Sequence, residues 1–369
     1  MQRMRAAVVA ERGGPIRVEE VELDDPREGE VRVKLVASGV CHSCLHAADG
    51  SWTQFPMPIV LGDEGSGIVE ATGAGVRGVR EGDHVILSWS PACGLCHYCV
   101  IGRPVLCERR SARPGTLPDG TTRLTWRGEP LYHFGTVASH SEYTTIPESC
   151  AIPIRHDMPL ETAALIGCSV MTGVGSVLNT AKVPAGASMV VFGAGGIGLN
   201  CIQGGGLVGA QPIIAVDVLP HKLEYAKRLG ATHGVNAAEQ DPIEAIKEIT
   251  RRGADFAFVA VGSTKPINQA WDALALGGTC VLIGLPGTAE TVTFTALSLQ
   301  ANEKVLRGSR YGSARMRDDF PRMVELYLSG KLKIDELINR RFTLDETDAA
   351  YKALAAGELA RGLIVNSLP

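Results

Sequence analysis

Ten cysteines occur in this 369-residue chain, and four of them, Cys93, Cys96, Cys99 and Cys107, follow the pattern C-x2-C-x2-C-x7-C. That spacing suits one tetrahedral tetrathiolate zinc, which clips together a loop that has no packed core of its own. Four sulfur ligands leave no open position for a substrate, so a zinc held here supports structure and the reaction must be sought elsewhere. An iron–sulfur cluster and a set of disulfides are the competing readings. The tight spacing and the intracellular character expected of the chain weigh against both.

A second chemical signature is Gly193-Ala-Gly195-Gly196-Ile-Gly198, directly after the apolar run MVVF and opening a helical stretch. G-x-G-x-x-G alone is weak, but here Asp217 ends the next apolar run, PIIAVD, nineteen residues after Gly198. That matches the ~20 residues expected of a dinucleotide fold. The glycines let backbone and helix N-terminus approach a pyrophosphate, while Asp217 can accept the adenosine ribose hydroxyls. The same carboxylate repels a 2′-phosphate, which favours NAD over NADP. The run Gly204-Gly205-Gly206 falls inside the helix that follows, where each glycine costs about 1 kcal/mol relative to alanine. The sequence offers no functional reason for it.

These residues need elements to hold them. The first part of the chain alternates short apolar runs with Gly and Pro turns (MRAAVVAE, GEVRVKLVASGV, GSGIVEATG, GDHVILSWS), a β-rich, barrel-like texture. From about Ser188 the rhythm becomes strand and helix in alternation, through SMVVFGAGG, PIIAVD, HKLEYAKRLGA, DFAFVAVG and TCVLIGLPG, as in a doubly wound parallel sheet. After about Tyr311 an amphipathic helix follows, with Phe320, Met323, Val324 and Tyr327 on one face. The length implies two domains.

Lys plus Arg number 36 against 40 Asp plus Glu, a net charge of −4, and no basic stripe with interleaved aromatics is present, so nucleic acid is excluded as a partner. The N-terminal MQRMRAAVVAERGG lacks the apolar core of a leader, and no apolar run approaches the ~20 residues of a membrane span. A soluble, cytoplasmic protein with reduced thiols and no membrane partner is expected.

Three further segments, GVCHSCLHAADG around Cys41, VLGDEGSG with Asp63-Glu64, and LIGCSVMTG around Cys168, join the four-cysteine loop and the glycine fingerprint. Together with LPDGTTRLTWRG and GTVASHSEYT they resemble the zinc-dependent medium-chain alcohol dehydrogenases, especially the class III-like branch, over nearly the whole chain. The resemblance implies an α/β protein. A GroES-like β-barrel catalytic domain would span 1–169 and 312–369, with a structural-zinc lobe at about 93–107, and a Rossmann NAD-binding domain would span 170–311. It implies NAD, a structural zinc and a second, catalytic zinc as cofactors. A small alcohol or aldehyde is the implied substrate, and a homodimer pairs through EKVLRGSRYG, with a tetramer left open.

In that family the catalytic zinc is held by two cysteines and a histidine. The matching residues here are Cys41, Cys168 and Asp63, so the histidine is missing; Glu64 matches a glutamate that swings toward the metal in relatives. Cys44 stands where relatives carry an aspartate that bonds the ligand histidine. The two departures make sense together, because a second carboxylate would repel Asp63 and a thiol does not. Cys44 is thus either a buried thiol or an added ligand. Two thiolates plus Asp63 leave a site one unit negative, which predicts a poorer Lewis acid or a weakly held metal.

The resemblance further assigns a proton relay to Ser43 and His46, the nicotinamide side to Thr172, the adenosine ribose to Lys222, and the pyrophosphate to His42 and Arg361. It places Trp52 and Trp89 in the substrate channel, favouring an apolar or aromatic alcohol. Arg109, Arg110 and Arg113 keep a glutathione-type adduct open as substrate, although the segment is two residues shorter than in class III enzymes. A zinc-poor reductase of activated C=C bonds and a non-catalytic cofactor-binding protein are the other function classes compatible with the pattern.

Overall fold

In a computed structural model, residues 1–111, 113–287 and 289–366 are described. The chain divides into two compact units, Met1–Ser169 with Arg315–Gly330 and Ile334–Pro369, and Val170–Ala314 with Lys331–Lys333. The short return at Lys331–Lys333 left no mark in the sequence pattern. Gln203 fixes it, taking the Lys333 N–H on Oε1 (2.8 Å) and donating from Nε2 to the Lys333 carbonyl (3.0 Å).

The first unit is built on β-structure. Strands Gln2–Val9, Ile16–Leu23, Leu124–Trp126, Glu129–His133 and Ile59–Val60 close into a barrel. A seven-stranded sheet runs Ala151–Pro153, His84–Leu87, Gly65–Thr72, Glu30–Val40, Arg361–Val365 and Ile338–Phe342, with Tyr143–Pro147 added on Glu30–Val40. The alternating apolar residues read from the sequence fill this interior, with Val31, Val33, Leu35, Val69, Val85 and Leu87 packing as one cluster. Arg123 is buried in an ion pair with Glu30 (2.5 Å) and a second with Asp119 (2.6 Å), so the LPDGTTR loop is tied to the start of the longest strand.

The second unit carries six parallel strands in the order His233–Asn236, Ile213–Asp217, Met189–Phe192, Ala254–Val259, Leu274–Leu282 and Val305–Gly308. By chain position this is 3-2-1-4-5-6, the doubly wound order of dinucleotide-binding folds. Met189–Phe192 is buried at all four positions, as a strand covered on both faces must be. Val305–Gly308, at the edge, is exposed at all four.

The three consecutive glycines lie in the helix Gly196–Val208 and are explained by packing. A Cβ on Gly205 would sit 2.3 Å from Met189 Sδ, and one on Gly204 3.1 Å from Val177 Cβ, while Gly206 faces open space. Two of the three glycines therefore admit a strand and a neighbouring helix at backbone distance. Among the described residues no single helix is long and apolar enough to cross a membrane.

Candidate active site

Strand register brings the distant segments together. In the antiparallel pair Glu30–Val40 and Gly65–Thr72, Ser38 lies opposite Gly65, so Cys41, just past one strand end, meets the Gly62-Asp63 turn just before the other. On the opposite edge of Glu30–Val40, Gly362 faces Val40, which sets Arg361 beside Cys41. Cys41 then caps the helix His42–Ala48, and Cys168 ends a short turn, Leu165–Gly167.

One Sγ each from Cys41 and Cys168 and one carboxylate oxygen of Asp63 lie within 4.8 Å of one another, all three residues buried. Asp63 Oδ2 faces this group, 3.9 Å from Cys168 Sγ, and accepts a hydrogen bond from Ser43 Oγ at 2.7 Å. Ser43 Oγ is also 3.1 Å from Cys41 Sγ. The charges are poised against one another. The hydrogen bond from Cys168 draws the Cys41 thiol down to about 6, whereas that same bond and burial push Cys168 well up. Burial, then the Cys41 charge, pushes the Asp63 carboxyl up to about 7. Three acidic groups that cannot all ionise together in a buried site, yet converge on one point, fit a divalent cation.

Glu64, grouped with the ligands in the sequence analysis, is placed outside this cluster. Neighbouring residues entering a strand point to opposite faces, and Glu64 accepts from Ser169 N–H (2.7 Å) and Ser169 Oγ (2.6 Å) and pairs with Arg361 at 3.4 Å. Burial raises its carboxyl; the Arg361 charge and Ser169 oppose the rise. Gly39 makes room for it, since a Cβ there would lie 2.1 Å from Glu64 Oε2. Arg361, expected on a pyrophosphate, is 5% exposed and also donates to the Val40 carbonyl (3.3 Å), leaving Nε buried with no partner among the described residues. Cys44 also lies outside the three-ligand group, its Sγ 3.6 Å from Asp63 Oδ1.

His46, one turn after Ser43 on the same helix, has a buried Nδ1 with no partner among the described residues. Its ring stands 5.5 Å from Trp52, Trp52 stacks at 6.2 Å on Phe55, and Phe55 lies 4.9 Å from Phe134. Trp52, Phe55 and Trp89 are half-buried against the core cluster that contains Cys41, Cys44 and Cys168. His42 is exposed at the start of the helix. Phe55 and Phe134 were not singled out from sequence. Phe55, in the same loop as Trp52 and three residues on, was the available signal.

In the loop 93–107, the sulfurs of Cys93, Cys96, Cys99 and Cys107 lie within 4.8 Å of one another. Backbone N–H groups of Cys96 (3.3 Å) and Leu95 (3.5 Å) point at Cys93 Sγ, and that of Cys93 points at Cys107 Sγ (3.3 Å). Backbone N–H donors from Glu108 and Cys99 draw the Cys96 thiol down to about 6, while burial pushes Cys99 up to about 12. The set fits a closed tetrathiolate metal.

In the second unit, Gly193 has φ +94° and a Cβ there would strike Val261 Cγ1 at 2.4 Å; one on Gly198 would lie 1.7 Å from the Gly193 carbonyl oxygen. Gly195, at the N-cap of helix Gly196–Val208, has nothing within 4 Å of a Cβ position, so its bare face is open to a ligand. Asp217 braces this turn, accepting from Ala194 N–H at 2.8 Å and from Val218 and Leu219 N–H at 2.8 and 3.1 Å. Lys222 lies half-buried in the next helix, Pro220–Arg228, and Thr172 is buried in helix Ser169–Gly175. The bare turn and carboxylate fit the pyrophosphate and ribose of a dinucleotide.

A doubly wound sheet with this turn, in a chain that also gathers two cysteine-containing groups able to hold a metal, fits a metal-dependent pyridine-nucleotide oxidoreductase. Comparison with known proteins narrows the class. Residues 27–156 match the alcohol dehydrogenase GroES-like domain and residues 196–329 the zinc-binding dehydrogenase domain. The alcohol dehydrogenase class-3 of Cereibacter sphaeroides is 38% identical over 98% of this chain and 100% of its own, and the NDMA-dependent alcohol dehydrogenase of Amycolatopsis methanolica is 38% identical over 98% and 99%. The crystal structure of benzyl alcohol dehydrogenase from Acinetobacter calcoaceticus superposes with a TM-score of 0.94 at 34% identity, covering 100% of both chains. The chain belongs to the zinc-dependent medium-chain alcohol dehydrogenases, on their class III-like branch, and is an NAD-dependent alcohol dehydrogenase with zinc and NAD as cofactors. Its substrates are small alcohols or aldehydes.

Proposed function

We propose that the enzyme interconverts a primary aromatic or bulky apolar alcohol and its aldehyde, with a catalytic zinc held by Cys41, Cys168 and Asp63 and a proton relay through Ser43 and His46. The observation that carries this reading is the aromatic series from His46 through Trp52 and Phe55 to Phe134, packed on the same cluster as the two cysteines. Aromatic rings set edge to face or offset against a substrate ring add about 0.5–1.5 kcal/mol each beyond area burial.

When bound, zinc supplies Lewis acidity toward the alcohol oxygen and NAD accepts the hydride. The chain's own groups do the rest. Ser43 Oγ adjoins the ligand sulfur and carboxylate and receives the alcohol proton. His46, with an unused ring nitrogen one turn along, passes it toward solvent, a role that suits imidazole near neutral pH. Asp217 and the turn at Gly195 hold the adenosine half of NAD. Lys222 and Thr172 are assigned to its ribose and nicotinamide, and His42 and Arg361 to its pyrophosphate. The exposed apolar edge Val305–Gly308 supports a homodimer joined strand to strand.

Steady-state kinetics with NAD decides the substrate class. Benzyl-type alcohols should exceed ethanol by at least ~10-fold in kcat/KM, and Trp52→Ala should remove most of that difference. A preference for a hydroxymethyl-thiol adduct over benzyl alcohol overturns the aromatic reading and favours Arg109, Arg110 and Arg113 as the recognition group.

A further inference from the structure

The loop that carries Trp52 and Phe55 is held by a residue that neither the relay nor the metal shell uses. Arg12 stands in the hairpin between strands Gln2–Val9 and Ile16–Leu23. Its Nη2 donates to the Thr53 carbonyl at 2.9 Å and to the Phe55 carbonyl at 2.7 Å, so both hydrogens of that nitrogen are used. Among the described residues no other hydrogen bond reaches those two carbonyls. The ends of the loop are tied separately. Ser51 N–H donates to Asp49 Oδ1 at 2.8 Å, Trp52 N–H to the His46 carbonyl at 2.9 Å, and Tyr132 N–H to the Pro58 carbonyl at 3.0 Å. Arg12 therefore holds the middle, the run of backbone that separates the two rings.

The base of this brace is itself fixed. Gly13, at φ +73°, donates its N–H to the Ala48 carbonyl at 2.7 Å, which docks the hairpin on the last turn of helix His42–Ala48. That helix carries Ser43 and His46, so hairpin, relay helix and aromatic loop meet at Arg12-Gly13. Gly50 turns the chain after the helix at φ +87°, and a Cβ on it would stand 3.5 Å from Arg12 Cβ. A hydrogen bond from a charged donor is about twice as strong as a neutral one. Arg12 is exposed, so water competes for it, but ordering this one side chain serves two carbonyls.

We propose that Arg12 is a positioning residue for substrate choice: it braces the Thr53 and Phe55 carbonyls and so fixes how Trp52 and Phe55 meet the alcohol. The proposal rests on the aromatic pocket argued above. Trp52 and Phe55 stack at 6.2 Å with 25° between their planes, a geometry that the backbone between them must set. Without the brace the loop samples more conformations, and ordering it then falls to the substrate and weakens binding. A ring that lies on Trp52 feels this loss, whereas a two-carbon alcohol has no ring to lay there. Arg12 touches none of the groups assigned to the proton or the metal, so KM moves more than kcat.

Full-length wild type, Arg12→Ala and Arg12→Lys are compared in two measurements. In steady-state kinetics with NAD, Arg12→Ala should raise the KM for benzyl alcohol about 10-fold, the worth of one charge-assisted hydrogen bond. The kcat and the KM for ethanol should move much less. Arg12→Lys, which keeps the charge but not the planar fork, should recover part of the loss. In limited chymotrypsin digestion mapped by mass, cutting after Trp52 should quicken by about 10-fold in Arg12→Ala, with cuts elsewhere in the chain as the folding control. A wild-type KM for benzyl alcohol in Arg12→Ala, or equal rises for both alcohols, overturns the proposal. So does an unchanged rate of cutting after Trp52. Should Arg12→Ala be cut faster everywhere through misfolding, the same two readouts in Arg12→Lys decide it. A wild type that does not prefer benzyl alcohol to ethanol refutes the aromatic substrate instead, and the cutting rate after Trp52 then decides alone whether Arg12 holds the loop.

Discussion

Restoring a neutral metal site should move the pH dependence of alcohol oxidation by an amount the geometry sets. At the proposed catalytic zinc site, two thiolates and the Asp63 carboxylate against one dication would leave a unit negative charge near the reacting oxygen, and this charge would oppose loss of the alcohol proton. Asp63 Oδ2 is 2.7 Å from Ser43 Oγ. An alcohol oxygen bonded to that hydroxyl adds another ~2.7 Å, so it lies at most about 5.4 Å from the carboxylate. At an effective dielectric of about 20, a unit charge at that distance contributes about 3 kcal/mol, or about 2 pH units. The variant Asp63→His removes the ligand charge and leaves the Cys44 thiol beside the new imidazole. In kcat against pH for benzyl alcohol at saturating NAD, the midpoint of the rising limb should fall by about 2 pH units. The sign follows from charge, since removing an anion favours the deprotonated alcohol. Zinc content must remain two per chain for the comparison. A two-zinc Asp63→His variant whose midpoint is unmoved would refute the electrostatic argument and leave Asp63 as geometry alone.

The glycine turn yields a pair of opposite outcomes. Gly195→Ala should keep the wild-type melting temperature while weakening NADH binding in a fluorescence titration, because its Cβ meets no protein atom. Gly198→Ala should instead lower stability by about 1–3 kcal/mol, since its Cβ falls on the Gly193 carbonyl. The reverse pattern would sink the cradle argument. Acid stability makes a third prediction. Burial holds His133 at about 3, against about 6.5 in an unfolded chain. The unfolded state alone takes up this proton in that window, so His133's contribution is full above about 6.5 and falls as pH drops toward 3. The slope is about 1.4 kcal/mol per pH unit. His133→Gln should remove that slope from denaturant midpoints measured between about pH 6 and 4.5. An unchanged slope would refute it.

Much of this was legible along the chain, and the parts that were not share a physical reason. The four-cysteine loop and the glycine fingerprint are local patterns, because a tetrahedral ion and a tight turn each demand their residues within one short segment. The doubly wound parallel sheet followed from apolar runs alternating with helical stretches, which need both faces covered, whereas its strand order came only from the fold. Glu64 was misgrouped although strand alternation alone would have parted it from Asp63. Phe55 and Phe134 lie 79 positions apart, and nothing in sequence joins them. His140 and Tyr351 are separated by 211 residues, and only the fold makes them neighbours. The glycine run at 204–206 was opaque because its cause is the bulk of Met189 and Val177 rather than any property of the run.

The edge strand Val305–Gly308 has a consequence for solubility. Its outer N–H and C=O groups and exposed Val305 and Leu306 form a template onto which another strand can add. If two copies add edge to edge about a two-fold axis, each consumes the other's edge and growth stops at the pair. Addition to the opposite edge, His233–Asn236, would run head to tail and continue into a fibre. In such a pair the separated subunit would be the aggregation-prone species, and conditions that part the two copies while the strand stays folded should promote clumping.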